Sequence, residues 1–291
     1  MRKLAKIFLP LVLLLACAAC AAETPPPEIH PIAGAASSGR LIDARQFVER
    51  GAFDTGAPPA SLPQGVKALI VPHHTVAARL AARLIGGLAE QAPKTIILLG
   101  PNHPADGPKI ATTYAAFTTY HGTLRPRADL VRALESRRLA GISDALFEKE
   151  HSIGALAPLI SRYLPDAGIV PMIFQRGVSL QNARKAIGTV YSIDDEDAVI
   201  IASIDFSHGL SPREEPARRA GILAYIEAYD WRAILGLDDT YLDAPVVLAA
   251  LLQLLQEHGC NRMQLFDSAN AADVLGYDVP DATGYLTMAF Y

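Results

Sequence analysis

The chain has 291 residues, of which 51% are hydrophobic and 19% are charged, proportions typical of a globular protein. Its formal net charge of −4 excludes the basic surface that nucleic-acid binding requires. Two of its three cysteines lie within the first 20 residues, so Cys260 has no partner for a disulfide in the body of the chain.

Residues 1–20 have the features of an export signal. Three basic residues precede an apolar run over residues 7–16, which is too short to span a bilayer comfortably. Small residues follow, with Cys17 after Leu-Leu-Ala and Cys20 after Ala-Ala. This order resembles a bacterial lipoprotein signal, in which one cysteine becomes lipidated. It predicts a protein anchored in the cell envelope and facing the periplasm, and secretion in soluble form is the alternative.

Residues 21–64 are rich in proline and glycine, which predicts a tether and a lead-in segment with one short helix over 42–51. From 65 to 291 apolar runs of strand length alternate with helical patterns. The predicted elements are, in chain order, strand 66–71, helix 76–91, strand 94–100, helix 129–138, helix 152–163, strand 169–174, helix 179–191, strand 198–204, helices 213–229 and 244–258, and strand 284–291. Continuously apolar strands are typical of sheets buried on both faces. We therefore expect one three-layer α/β/α domain with a mostly parallel central sheet.

Polar clusters follow three of the predicted strands. His73 follows the first strand and His103 follows the second. Asp205, Ser207 and His208 follow the predicted strand over 198–204. Open α/β sheets bind ligands beyond the carboxyl ends of their strands. Neighbouring parallel strands are about 4.8 Å apart, so His73 and His103 are placed to share one metal ion. The spacing also allows the alternative of solvated loop imidazoles.

A fourth cluster opens the predicted helix over 152–163. Glu148, His151 and Ser152 offer a carboxylate, an imidazole and a hydroxyl, a set in which His151 could serve as a general acid/base. The alternative is that Ser152 merely caps the helix. A Ser-His-Asp hydrolase is disfavoured because Ser207 directly precedes His208 and no Gly-x-Ser-x-Gly elbow is present. No glycine-rich phosphate loop is present either, so no nucleotide cofactor is expected.

Together these clusters resemble the Memo family, also called AmmeMemoRadiSam system protein B. That family is related in fold to the class III extradiol ring-cleaving dioxygenases. The resemblance covers about residues 65–291 and depends on the order and spacing of several short stretches. These stretches are Val71-Pro72-His73, Leu99-Gly100-Pro101-Asn102-His103, Glu150-His151-Ser152-Ile153 and Ser203-Ile204-Asp205-Phe206-Ser207-His208.

The resemblance implies a metal-ligand set. His73 and His103 match the two histidines that ligate metal in metal-binding members. Ser207 matches a position that is cysteine in eukaryotic members and supplies a third ligand there. Beside it, His208 is a further candidate ligand and Asp205 is a candidate catalytic residue. Serine is a poorer ligand than cysteine for a soft metal.

The resemblance also implies catalytic residues. His151 matches the acid/base histidine of the related dioxygenases, and Glu148 falls where an acidic residue of the Memo site is expected. Two departures from the family pattern, His74 and His121, add histidines that we expect near the site. The glutamate that completes a 2-His-1-carboxylate set in the dioxygenases has no counterpart that the sequence identifies.

These observations predict one divalent transition metal, which would be iron, copper or zinc, and a small-molecule substrate. The expected chemistry is metal-dependent redox or dioxygenase-type chemistry. A non-catalytic metal- or ligand-binding protein on the same fold, or a metal-dependent hydrolase, is the alternative. Membrane contact is expected through the lipid anchor only, and the sequence indicates no protein partner.

Overall fold

The computed structural model describes residues 39–53, 58–194 and 196–291. The predicted signal over 1–20 and most of the predicted tether lie outside these ranges. Within them, no helix has the length and apolar character needed to cross a membrane.

The described residues form twelve strands and ten α-helices. The strands are β1 (Leu41–Asp43), β2 (Ala68–Val71), β3 (Thr95–Pro101), β4 (Ile110–Thr112), β5 (Ala116–Thr119), β6 (Gly122–Leu124), β7 (Gly141–Ile142), β8 (Gly168–Phe174), β9 (Ala198–Ser203), β10 (Phe206–Leu210), β11 (Met263–Asn270) and β12 (Ala282–Phe290). The α-helices are α1 (Ala78–Gly87), α2 (Ala128–Ser136), α3 (Asp144–Phe147), α4 (His151–Gly154), α5 (Ala157–Tyr163), α6 (Leu180–Tyr191), α7 (Glu215–Glu227), α8 (Trp231–Leu235), α9 (Pro245–Glu257) and α10 (Ala271–Leu275). Short 3-10 helices span Ala44–Phe47, Arg50–Phe53, Thr75–Ala77 and Leu88–Glu90.

A nine-stranded sheet forms the centre of the domain. Its strand order is β10-β12-β2-β9-β3-β8-β4-β7, and β11 pairs with β12. The four central strands β2, β9, β3 and β8 are parallel, as predicted. Antiparallel pairings flank them, because β12 pairs antiparallel with β2, β10 and β11, and β4 pairs antiparallel with β8. The sheet is therefore parallel at its centre, antiparallel on the β12 side and mixed on the β4 side.

Alternating side chains of the central strands build two separate cores. In β2, Ala68 and Ile70 belong to one apolar cluster, whereas Leu69 and Val71 belong to the other. The first cluster includes residues of α2, α6 and α9, and the second includes residues of α1 and α5. This is the period-2 alternation of a strand with a helical layer on each face, and it explains why every residue of β2 is buried. The expected α/β/α architecture is confirmed.

The lead-in segment contributes to the same domain. β1 runs parallel to β5, and β5 pairs antiparallel with β6 in a small second sheet. Ile42 is fully buried in the core that includes α1 and α5. Phe47 packs against Gly154 of α4 so closely that a Cβ on this glycine would collide with its ring. The short helix expected over 42–51 is present as 3-10 turns that pack on the domain.

The structure divides one predicted helix and adds elements that the pattern did not indicate. The helix expected over 152–163 is two helices, α4 and α5, which meet at Ala155 and Leu156. A proline in the first turn of α5 has no N–H to continue the α4 ladder, which accounts for the break. The strands that the sequence did not predict include β4, β6 and β7, which have only two or three residues each. Periodicity is uninformative over so short a length.

Candidate metal site at the carboxyl edge of the sheet

Three strand ends meet at one edge of the sheet. Because β9 lies between β2 and β3 and all three run parallel, the residues that follow them share this edge. His73 follows β2, His103 follows β3, and Asp205 follows β9. Gly100, in β3, allows the helix that carries His151 to approach, since a Cβ there would lie 2.5 Å from Ser152 Oγ.

Two overlapping groups of side chains at this edge could hold a metal ion, and His73 belongs to both. The outer group is His73, His103 and His151, and the inner group is His73, Asp205 and Asp243. Within each group, one ligand atom from every residue lies within 4.8 Å of the others. His73 is 3% exposed, whereas the side chain of His151 is 47% exposed, so the outer group faces solvent and the inner group does not.

The tautomer of His73 follows from its hydrogen-bond partners. Ser203 Oγ donates its only proton to the carbonyl oxygen of Ser152 at 2.6 Å. At 3.0 Å from His73 Nδ1, the same Oγ must therefore accept a hydrogen bond from Nδ1–H. This leaves His73 Nε2 with a free lone pair, and that nitrogen lies 3.5 Å from Asp205 Oδ2 and 3.3 Å from Asp243 Oδ2.

His103 is held in the same way by Glu150. The buried Glu150 carboxylate accepts hydrogen bonds from His103 Nδ1 at 2.8 Å, from the His103 backbone N–H at 2.7 Å and from the Ser152 backbone N–H at 2.7 Å. Burial raises the pKa of Glu150, but these bonds and the charge of His103 outweigh it and lower the pKa to about 2. An ionised carboxylate only accepts, so Nδ1 carries a proton, and in the neutral imidazole the lone pair is then on His103 Nε2.

Asp243 completes the arrangement. Its Oδ2 lies 3.3 Å from His73 Nε2 and 3.9 Å from His103 Nε2, so one carboxylate oxygen faces the Nε2 atoms of both imidazoles. Ligand atoms that are each about 2.1 Å from one ion are roughly 3.0–3.4 Å apart. The distance from Asp243 to His73 lies in this range, and the distance to His103 is longer. Two imidazoles and one carboxylate form the ligand set of non-haem iron(II) oxygenases. The donor chemistry at this edge therefore fits a divalent transition metal.

The buried carboxylates of the inner group favour the binding of a cation. Burial raises the pKa of Asp243 well above its usual range, and the neighbouring charge of Asp205 raises it further. Burial also lowers the pKa of His73 far below the usual imidazole value, and the charges of His103 and His151 act in the same direction. Asp243 Oδ1 is buried and has no hydrogen-bond partner among the described residues. A proton or a metal ion must therefore compensate the buried carboxylates.

His151 differs from the other two histidines. Its ring stacks on that of His103 at a centroid distance of 4.3 Å, and its Nδ1 lies 3.6 Å from Glu150 Oε1, too far for a hydrogen bond. Burial lowers the pKa of His151 and so does the charge of His103, whereas Glu150 and Asp205 raise it. A half-exposed imidazole without a strong partner is free to exchange protons with a bound molecule.

A cavity of about 510 Å³, which we call the site cavity, opens beside these groups. Its walls include His103, Asp243, Asn102, His208 and Arg176. His208 thus lines the cavity, but it belongs to neither of the two metal-capable groups. Burial lowers the pKa of His208, partly opposed by Asp205, Asp281 and Asp239, and its Nε2 is buried without a hydrogen-bond partner within the described ranges.

Comparison with known proteins identifies the family of this chain. The family described as Memo-like protein matches residues 33–289. The chain belongs to the Memo family. Relatives include a MEMO1 family protein of Pyrobaculum arsenaticum, 28% identical over 78% of this chain and 85% of the relative. Another, from Methanopyrus kandleri, is 27% identical over 81% of this chain and 86% of the relative. Among solved structures, uncharacterized protein JW3007 from Escherichia coli K12 aligns with a TM-score of 0.46 at 13% identity, covering 75% of this chain and 99% of that chain.

Two residues that the Memo resemblance indicated have other surroundings. Glu148 pairs with Arg40 on the surface at 2.5 Å, and the carboxylate that contacts the histidines is that of Glu150, two residues later. Ser207 is buried with φ at +46°, and its Oγ has no hydrogen-bond partner in the part of the chain that the structure describes. The oxygen beside both imidazole nitrogens comes from Asp243. Asp205 belongs to the inner group, as its place after β9 suggests.

The two histidines that depart from the Memo pattern are separated in space. His74 Nδ1 lies 2.6 Å from the hydroxyl of Tyr285, and its backbone N–H donates to Asp205 Oδ1 at 3.5 Å, so it borders the inner group. His121 is exposed in the turn between β5 and β6.

Sequence reasoning missed Asp243 because it lies in the loop before α9, far along the chain from the strand ends. In sequence it reads as an ordinary residue before a helix that starts with proline.

Proposed function

We propose that this Memo-family protein is a metal-dependent oxidoreductase that acts on a small organic molecule. His73, His103 and Asp243 would hold one divalent metal ion, with iron(II) favoured by the 2-His-1-carboxylate set. The observation that carries the proposal is that the Nε2 atoms of His73 and His103 face one buried carboxylate oxygen of Asp243. When bound, such an ion supplies Lewis acidity and one-electron redox chemistry.

The protein's own residues would position and exchange protons. Ser203 and Glu150 hold the ligand imidazoles in the tautomers that leave Nε2 free. Asp205 Oδ1 accepts from the His73 backbone N–H at 3.1 Å and fixes the loop after β2. His151 would take a proton from a substrate hydroxyl at a ring nitrogen and return it later, as its exposure and its lowered pKa allow.

The decisive experiment measures metal content. We expect the purified full-length protein to bind about one equivalent of iron(II) or zinc, and His73→Ala and His103→Ala to reduce binding to less than about a tenth of an equivalent. His121→Ala, which changes an exposed histidine in a turn, is the control and should bind as the wild type does. Oxygen uptake with a panel of catechols then separates turnover from binding alone. Absence of metal from the wild type under both aerobic and anaerobic conditions would refute the proposal.

We also propose that the protein is exported and lipid-anchored in a bacterial envelope. The support is the order of basic residues, apolar run and cysteines in residues 1–20. Labelling with radioactive palmitate should mark the wild type. One of the two variants Cys17→Ala and Cys20→Ala should lose the label, and that variant identifies the lipidated cysteine. A protein that remains unlabelled and is recovered in the soluble secreted fraction would support the alternative of plain secretion.

A further inference from the structure

A second cavity adjoins the site cavity, and we call it the side pocket. It has a volume of about 350 Å³ and shares Phe174, Arg176, Asp239 and Asp243 with the wall of the site cavity. Asp243, the proposed metal ligand, therefore stands where the two cavities meet. The shared residues place the two cavities side by side at the metal site.

The walls of the side pocket are largely apolar. Leu235, Leu237, Val246 and Val247 line it together with Phe174. Leu235 is 39% exposed, one of the few large apolar side chains in the described residues that face solvent to this extent. An apolar group that entered this pocket would remove its own surface and the apolar surface of the pocket wall from water. This burial is favourable in proportion to the buried area.

The site cavity has the opposite character. Asn102 is 6% exposed, and its Nδ2 donates to the carbonyl oxygen of Asp106 at 2.8 Å, which directs Oδ1 away from that bond. Asn102 Oδ1, Asp243 Oδ1 and His208 Nε2 are all buried without a hydrogen-bond partner among the described residues. Leaving such groups unpaired is costly. Asn102 Oδ1 can only accept hydrogen bonds, and so can Asp243 Oδ1 when that carboxylate is ionised on a metal ion. A bound molecule with hydroxyl groups would satisfy them.

The charges along both cavities disfavour an anionic substituent. Arg176 is the one lysine or arginine on the described walls, and its guanidinium already pairs with Asp239. Asp238 also lines the side pocket. A carboxylate in the side pocket would meet these two aspartates and would have to displace Asp239 from Arg176.

We infer that the substrate is a neutral molecule with a hydroxylated end and an apolar arm, in which the hydroxyls face Asn102 and Asp243 and the arm fills the side pocket. This inference rests on the proposed metal site for the position of the hydroxylated end. The arm and the exclusion of an anion depend only on the side pocket.

The test measures binding of four probes by isothermal titration calorimetry. The full-length protein is prepared metal-free and also loaded with zinc, which is redox-inert, and its zinc content is measured on the same sample. The probes are catechol, 4-ethylcatechol, 3,4-dihydroxybenzoate and 4-ethyl-1,2-dimethoxybenzene. We expect 4-ethylcatechol to bind about tenfold more tightly than catechol, since two carbons are buried. The carboxylate probe should bind no more tightly than catechol, and the dimethoxy probe, which lacks donors, should not bind measurably.

A matched pair of variants locates the arm. Leu235 ends α8 and Leu275 ends α10, both helices have five residues, and the two side chains are 39% and 37% exposed. Leu235→Ser should reduce the tenfold preference for the ethyl group to about twofold. Leu275→Ser should leave the preference unchanged.

The outcomes separate this inference from the proposed function. Stoichiometric zinc without a preference for the ethyl group, or with tighter binding of the carboxylate probe, would overturn the inference and leave the metal site standing. If no zinc binds but the metal-free protein keeps the preference, the metal site fails and the pocket assignment survives. An equal loss of preference in both leucine variants would also overturn the assignment of the arm to the side pocket.

Discussion

The two sides of His73 differ in charge and in access to solvent. On the inner side, Asp205 and Asp243 are buried carboxylates whose raised pKa values reflect the cost of burying negative charge. On the outer side, His103 and His151 are stacked imidazoles that are 35% and 47% exposed at their side chains. A buried anionic side suits the retention of a cation, and an open imidazole side suits proton exchange. The following predictions test whether this division of labour holds, beginning with the largest effect.

His151→Gln tests the outer side. We expect metal content to remain near one equivalent while turnover of any catechol that the wild type oxidises falls by about 10²- to 10⁴-fold, the usual contribution of a general acid/base. The pH dependence of the remaining activity should no longer show the change that the titration of His151 causes in the wild type. Loss of the metal along with activity would instead make His151 a ligand and would abolish the distinction between the two sides.

Asp243→Asn tests the inner side. The amide keeps the shape but not the charge of the carboxylate, so we expect metal affinity to fall by about 100-fold or more. Asp239→Asn is the control, because Asp239 lines the same cavity but belongs to neither metal-capable group. Competition titration with a chromogenic chelator measures both. Equal affinities for Asp243→Asn and the wild type would remove Asp243 from the ligand set.

Glu150→Gln tests the support behind His103. An uncharged amide no longer enforces a proton on His103 Nδ1, and loss of such a partner typically lowers metal affinity by about 10- to 100-fold. Glu148→Gln is the matched control, since Glu148 pairs with Arg40 on the surface. The same chelator titration applies. A larger loss in Glu148→Gln than in Glu150→Gln would restore Glu148 as the acidic residue of the site.

The smallest expected effect is on the thermal stability of the metal-free protein. Folding raises the pKa of Asp243, so above the usual pKa of about 3.9 the folded state retains a proton that the unfolded state has lost. The contribution of Asp243 to the free energy of unfolding is thus fully present below a pH of about 3.9. It is lost as the pH rises towards the pKa of Asp243 in the folded state. Asp243→Asn avoids that loss.

Calorimetry at several pH values should therefore show the variant gaining on the wild type as pH rises from about 4, by roughly 2–4 °C for each kcal/mol. Zinc should reverse the order, because it stabilises only the protein that binds it. An advantage for the variant that is constant over this pH range would mean that Asp243 is ionised throughout.

Much of the scaffold could be predicted from local pattern. The strands β2, β3, β8 and β9 are continuous apolar runs, and such runs are buried on both faces in a parallel sheet. Strands β4 and β7 carry too few residues for periodicity to be read, whereas β11, with eight residues, was missed despite its length. The antiparallel pairing of β12 with β2 was not predicted, because the sequence of residues 284–291 does not indicate whether the strand runs parallel or antiparallel to its neighbour.

The site divides along the same line. The sequence alone indicated that His73, His103 and Asp205 follow parallel strands whose ends share one edge. It was wrong to treat the strands before His73 and His103 as neighbours, because β9 lies between them. Only the tertiary structure decided which carboxylates meet them. Glu150, rather than Glu148, points inward because its side chain caps α4. Asp243 lies on the loop before α9, and the path of that loop depends on how α9 packs over the sheet. Long-range packing places such residues, and no local sequence pattern encodes it.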